Sequence, residues 1–258
     1  MPDVLLRPRL AVTIVARDEE DRLPATLASV TFADEVVVVV DAATTDRTEE
    51  IARAAGAQVI VRTFDGFGPQ KNVAADATTA PWILSVDADE IVLPELAREI
   101  TERLAEAAAD PGRSPVAFRI PIHLEFLGRV LRFGRDTVVT PARLYRRDAA
   151  RFSDAKVHEK VVTAGSVETL RGRILHRSYR DLTHYLEKFD LYTSLGAEAK
   201  AAEGRRPSQA LLLRVAWEFL DRSVLHLGFL DGVAGLTYAA LSSGNTLFKY
   251  LKFRALAP

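Results

Sequence analysis

Five consecutive valines, Val36 to Val40, stand between Glu35 and Asp41. A strand with one wet face alternates apolar and polar residues, and this one does not. Both of its faces must be covered, as they are for a parallel strand inside a sheet flanked by helices. The neighbouring sequence supplies the partners. Short apolar runs over residues 10–16, 57–61 and 82–86 suit further strands. Helical spacing marks 21–30, through Leu23, Leu27 and Val30, and 70–77. It also marks 46–55, with Asp46 as N-cap and Gly56 beyond the end, and 94–108, with Pro94 in the first turn. Regular alternation of strand and helix predicts an α/β fold with crossover helices on both faces of a mostly parallel sheet.

Beyond residue 112 the pattern changes. Short β-like pieces are expected at 116–122, 138–145, 157–163 and 171–175, between turns at Gly128, Gly134, Pro141 and Gly165. From 181 onward the reading is helical, at 181–203, 208–227 and 232–251. The expected division is a parallel-sheet half over 1–112, a mixed half over 113–180 and a helical tail over 181–258. With 48% hydrophobic and 27% charged residues, the chain can bury a substantial core. It has no cysteine, which excludes disulfides, thiolate metal sites and a cysteine nucleophile. A net charge of -1 gives no reason to expect nucleic acid as a partner.

No secretory signal is visible, and no uncharged apolar run reaches the ~20 residues of a spanning helix. The nearest candidate, 223–248, is interrupted by His226, Asp231 and Asn245. A cytoplasmic chain is expected. From Arg205 on, seven basic residues face three acidic ones, so the tail is +4 and residues 1–204 carry -5. Such a tail suits peripheral contact with an anionic membrane surface through 205–258. It equally suits a helical layer packed on the body, or in a homodimer.

Ligands bind beyond the carboxyl ends of parallel strands, so the residues just after each strand carry the chemistry. These are Arg17-Asp18-Glu19-Glu20, then Asp41 with the loop to Asp46, then Asp87-Ala88-Asp89-Glu90. Asp87 and Asp89 share one side of an extended backbone. Paired hard oxygen donors suit Mg²⁺ or Mn²⁺, which also bind substrate phosphates. A solvated acidic turn capping the next helix is the plainer alternative. No Gly-x-Gly-x-x-Gly, Walker loop or Gly-x-Ser-x-Gly elbow occurs. Phosphate would then be held by a metal and basic side chains, with Lys71, after the flexible Gly66-Phe67-Gly68-Pro69 loop, the first candidate.

Together, the run from Val12 to Glu20, Val39-Val40-Asp41-Ala42-Ala43-Thr44-Thr45-Asp46-Arg47-Thr48, Gln70-Lys71-Asn72 and Ser85-Val86-Asp87-Ala88-Asp89-Glu90 resemble a family 2 glycosyltransferase of the GT-A fold. Arg143-Leu144-Tyr145-Arg146, Val157-His158-Glu159, Leu175-His176-Arg177-Ser178-Tyr179 and Gly228-Phe229-Leu230-Asp231-Gly232 resemble its lipopolysaccharide-core β-glucosyltransferase branch. The resemblance implies a Rossmann-like, mostly parallel sheet that binds a nucleotide sugar, a mixed acceptor-side half and a C-terminal helical tail. Ala16, Arg17 and Glu19 would line a uridine pocket, and Asp41 would touch uracil or ribose. Lys71 would lie near uracil or diphosphate. Asp87 would face ribose and metal, Asp89 would bind the metal, and His176 would be a third ligand favouring Mn²⁺.

Departures from the family pattern are Asp18 for the usual Asn, and Ala16 and Ala42 for hydroxyl residues. Glu159 would be the base that takes the acceptor proton. His158 would orient it, touch the acceptor or be structural. Arg143 and Arg146 would pair with phosphate on donor or acceptor, or be solvated neighbours. The implied activity is inverting, metal-dependent hexosyl transfer, from a nucleotide sugar such as UDP-glucose to a cell-envelope glycan or glycolipid such as lipopolysaccharide core. This would take place at the inner face of the plasma membrane. The alternatives are a non-catalytic binding protein with a degenerate site, and a nucleotidyltransferase. The acidic loop at 17–20 weighs against the second.

Overall fold

A computed structural model of the chain describes residues 7–153, 159–203 and 210–256. It opens with β1 (Leu10–Ala16), α1 (Leu23–Ser29), β2 (Glu35–Asp41), α2 (Thr48–Ala54), β3 (Gln58–Arg62) and α3 (Phe67–Asp76). β4 (Trp82–Asp87), β5 (Glu90–Val92) and α4 (Pro94–Ala109) follow. Short strands come next: β6 (Ala117–Arg119), β7 (Ile122–Phe126), β8 (Arg129–Val130), β9 (Val138–Val139) and β10 (Ala142–Arg146). They continue with β11 (Ala150–Phe152), β12 (Val161–Thr163), β13 (Val167–Thr169) and β14 (Ile174–His176). The chain ends in α5 (Leu182–Ala202), α6 (Leu211–Leu220) and α7 (Gly232–Leu256). It divides into two compact units, one of residues 1–122 with 139–176 and one of 123–138 with 177–258.

The first unit holds the α/β sheet expected from the sequence, in the order β13-β6-β10-β4-β1-β2-β3. β1 lies parallel to both β2 and β4, with Ala16 beside Val40 and Val15 beside Asp87. The chain leaves β1 toward β2 on one side and returns to β4 on the other, which makes the β1/β4 crevice the topological switch point. The valine run is dry on both faces. Val38 and Val40 pack with Leu84, Val86, Leu96, Ile100 and Leu104, while Val37 and Val39 pack on Ala74 of α3.

Several elements depart from expectation. α3 begins at Phe67, so residues 66–69 are not a flexible loop: Gly66 turns the chain at φ 133° and Pro69 sits in the first helical turn, where its missing N–H costs nothing. α2 starts at Thr48, because Asp46 uses its side chain on the Thr48 N–H (2.9 Å) and the Glu20 N–H (3.0 Å). The piece at 116–122 divides at Pro121 and that at 138–145 at Pro141, where no N–H is available for pairing. The helix expected at 208–227 loosens into a π turn at Asp221–Leu225. β5, β11 and β13 are too short to show a period.

In the second unit, α5 and α7 enclose an aromatic cluster in which Phe126 meets Tyr179, Tyr185 and Tyr238 edge-on. Asp181 caps α5 by accepting the His184 N–H at 2.8 Å. Asp231 is 3% exposed and accepts the backbone N–H groups of Arg132 and Phe133, each at 2.9 Å. Gly228-Phe229-Leu230-Asp231-Gly232 thus has a structural task, which is to hold the 131–134 segment. Among the described residues no single helix is long and apolar enough to cross a membrane. Leu211–Leu225 and Gly228–Leu256 pass that test only as a pair, bent by 69°.

A Cβ on Gly235 would run into the Gly228 carbonyl oxygen and the Asp231 side chain. Gly235→Ala should therefore destabilise the protein by about 1–3 kcal/mol, read as a lower thermal midpoint.

Candidate functional site

The loops after β1 and β2 are tied to each other. Asp18 adopts φ +53°, a left-handed conformation that Asn and Asp tolerate better than other side chains. Its Oδ1 accepts the Thr45 N–H at 2.8 Å and the Thr45 hydroxyl at 3.2 Å. The Thr48 hydroxyl oxygen accepts the Glu19 N–H at 2.7 Å. Asp18 in place of Asn therefore leaves the loop closed. Asp41 at the end of β2 is buried, accepts the Ala43 N–H at 3.0 Å, and lies 3.4 Å from the exposed Arg17 guanidinium. Ala16 is buried, with its methyl group in the core.

Beside this loop pair runs a ladder of alternating charge. Lys71 Nζ donates to Glu159 Oε1 at 2.7 Å and lies 3.0 Å from Asp87 Oδ1. Arg143 donates through Nη2 to Asp87 Oδ2 at 2.7 Å and to Glu90 Oε1 at 3.1 Å. Glu90 Oε2 accepts the Asp87 N–H at 2.8 Å. Lys71, Arg143 and Glu90 are 4%, 8% and 1% exposed, so these are charges largely removed from water. Burial pushes the Asp87 carboxyl up, yet the Arg143 and Lys71 charges outweigh it and hold Asp87 below the usual carboxylate range. Glu90 goes the other way: burial, reinforced by the Asp87 charge, raises it despite Arg143. Burial opposes the Arg143 charge, but Asp87 and Glu90 raise its affinity for the proton.

A third group stands at β5 and β14, where His176 pairs with Glu90 in antiparallel register. His176 Nε2 lies 3.3 Å from Asp89 Oδ2, and Arg22 Nη1 lies 3.4 Å from the same oxygen. Burial would raise the Asp89 carboxyl; the hydrogen bond and charge of His176, with Arg22, keep it lowered. The expected donors Asp87, Asp89 and His176 do not assemble as a trio, and no group of three metal-ligating side chains occurs among the described residues. The reason is that both Asp87 oxygens are held by cations. Asp89 and His176 remain a carboxylate–imidazole pair, a donor set that fits a divalent ion completing its shell with water and substrate phosphate.

The structure thus brings Lys71, Asp87, Arg143 and Glu159 together, Asp89 with His176, and Asp41 with Arg17. It takes Arg146 elsewhere. Arg146 pairs in register with Trp82, at the far end of β4 from Asp87, and binds Asp148 at 2.7 Å. Arg143 is engaged by Asp87 and Glu90 and is not a free phosphate ligand through its Nη groups. His158 lies outside the described residues. Two participants carried no sequence signal of their own: Glu90, hidden in the Asp87-Ala88-Asp89-Glu90 run, and Arg22 at the start of α1, whose only hint was Glu19 three residues earlier.

The family model described as glycosyl transferase family 2 matches residues 11–151. An uncharacterized glycosyltransferase of Rickettsia typhi is 26% identical over 259 residues, which cover 96% of this chain and 88% of its own. LpsC of Rhizobium meliloti, named a lipopolysaccharide core biosynthesis glycosyltransferase, is 26% identical over 251 residues, covering 92% and 91%. Among solved structures, S. aureus TarS 1-349 in complex with UDP-GlcNAc aligns with a TM-score of 0.49 at 15% identity, covering 96% of this chain and 92% of that one.

Removing one member of the ladder should cost far more than removing a surface ion pair. Arg143→Leu leaves Asp87 and Glu90 facing each other and should lower unfolding free energy by about 3–5 kcal/mol. Arg146→Ala should cost about 0–1 kcal/mol. Urea midpoints of the two variants make the comparison.

Proposed function

The chain belongs to glycosyl transferase family 2 and is a glycosyltransferase; from that premise we propose that it moves a hexose from a UDP-sugar, with inversion, to a cell-envelope glycan or glycolipid. The observation that carries this reading is Glu159 held by buried Lys71 and linked through it to Asp87 at the switch-point edge of the sheet. Oε1 of Glu159 is engaged, and Oε2 has no hydrogen-bond partner among the described residues. That oxygen takes the acceptor hydroxyl proton as the new C–O bond forms on one face of the anomeric carbon. The bond to the nucleoside diphosphate breaks on the opposite face, and the electron pair leaves with the diphosphate. Lys71 fixes the base in place. Asp41 and Arg17 line the end of β2, where the nucleoside binds.

Asp89 and His176 would hold a divalent ion, which when bound neutralises charge on the departing diphosphate. This chain's own residues prepare that position by keeping Asp89 ionised and His176 turned toward it. Glu159→Gln should lower kcat by about 100- to 10,000-fold while leaving UDP affinity within about twofold, because the base touches the acceptor only. Wild-type turnover in Glu159→Gln would move the base elsewhere. Calorimetric titration of UDP with and without Mn²⁺ should show metal-linked affinity in the wild type. Asp89→Ala should abolish that linkage.

The acceptor surface we infer is lipid-borne. On α6 and the turn after it, Leu212, Leu213, Trp217, Leu220, Val224 and Leu225 are exposed. Arg214 on this helix is paired with Glu218 at 3.2 Å, so the preference for an anionic surface rests on the +4 charge of residues 205–258. An apolar face carrying tryptophan on a basic tail suits the surface of an anionic bilayer. The protein should sediment with vesicles of phosphatidylglycerol and phosphatidylcholine, and much less with phosphatidylcholine alone. Leu213→Asp with Trp217→Asp should abolish sedimentation. Indifference to vesicles together with concentration-dependent dimerisation would make the face a protein interface instead.

A further inference from the structure

Within the first unit a cavity of about 370 Å³ is lined by Lys71, Arg119, Arg143, Phe152, Glu159 and Lys160, with small apolar side chains between them. Its volume is that of a small-ligand site, and its charge is unbalanced, with four cations against the single carboxylate of Glu159. Lys71 is matched by Glu159 and Asp87. Arg119 and Lys160 are exposed and form no ion pair among the described residues. Arg143 spends its Nη groups on Asp87 and Glu90, but its Nε–H is buried with no partner. That N–H has no accessible surface, so the groups in the wall that can meet an oxyanion are the exposed Arg119 and Lys160. Arg119 reaches this edge because β6 runs antiparallel to β10, with Arg119 in register with Ala142, the residue before Arg143.

We propose that this cavity is an oxyanion subsite for the acceptor, so that the sugar receiving the hexose carries a phosphate or carboxylate read by Arg119 and Lys160. The inference rests on Glu159 being the base. An acceptor hydroxyl has to reach Glu159, and Glu159 lines the same cavity. Asp89, His176 and Asp41, the groups assigned to the donor, are not in its wall. Guanidinium groups favour planar, bidentate contacts with phosphate and carboxylate, so the subsite discriminates against neutral sugars.

Glucose 6-phosphate, glucuronate and glucose, titrated calorimetrically into the full chain with and without saturating UDP, test this. The two anionic sugars should bind saturably to the UDP-loaded protein, and neutral glucose should not. The double variant R119Q/K160Q should weaken anionic-sugar binding by about 10- to 100-fold and leave UDP affinity unchanged. A urea midpoint close to wild type would show that the variant is folded, since both side chains are exposed. Displacement of the anionic sugars by UDP would assign the cavity to the donor and overturn the proposal. So would equal binding of glucose, an unaltered response in the double variant, or no saturable binding. Failure of UDP itself to bind would overturn the donor reading instead, while the titration of the UDP-free protein would still decide the subsite.

Discussion

Asp87 is held between two cations, Lys71 on one oxygen and Arg143 on the other, and the chemistry of the first unit is organised around that arrangement. Each cation reaches a second carboxylate, Glu159 for Lys71 and Glu90 for Arg143. Five groups from α3, β4, β5, β10 and the segment before β12 thereby share one electrostatic unit. Charges withdrawn from water repay their desolvation only when geometry and partners are nearly complete. The ladder meets that condition, apart from one guanidinium N–H and one carboxylate oxygen. The carboxylate oxygen, on Glu159, is where a ligand has something to gain by binding, since the guanidinium N–H has no accessible surface.

The ladder is possible because the sheet beneath it is dry. Valines on both faces of β2, and Ile14, Leu84 and Val86 beside them, make the strands mostly apolar, with Thr13 and Ser85, paired in register on β1 and β4, as buried polar side chains among them. Polar residues collect at the carboxyl ends, where Asp41, Asp87 and the loop after β1 meet. Hydrogen bonds donated by the Thr45 N–H to Asp18 and by the Glu20 N–H to Asp46 then close those loops without any glycine-rich turn. The nucleotide-sugar site proposed at this edge would be pre-shaped by acidic side chains. Such a site would suit a donor whose phosphates come with a cation and not one cradled by backbone amides.

The acidic residues that carry the family likeness, at 18–20, 41 and 87–90, were legible one by one, because each group stands at or just after the end of a strand whose apolar run is unmistakable. Their pairings were not. Arg143 and Arg146 look equivalent in the sequence, two basic residues in one short strand. The structure sends one into the ladder and the other to Trp82 at the opposite end of β4, because β10 runs antiparallel to β4. Asp87 and Asp89 look like one metal-binding pair. The structure separates them, giving Asp87 to lysine and arginine and Asp89 to His176 and Arg22.

Sequence by itself determined the sheet and its switch point. Buried parallel strands have a composition that local periodicity exposes, and crossover helices follow from strand order. It also determined which acidic residues would gather at one edge, since each strand ends on that edge. Only the tertiary structure decided which cation neutralises which carboxylate. Arg22, Lys71, Arg143 and His176 are separated along the chain by dozens of residues, and their meeting depends on strand direction and register, which no local pattern encodes. The imbalance of charge around the cavity beside Glu159 likewise emerges only once β6, β10 and α3 are set side by side.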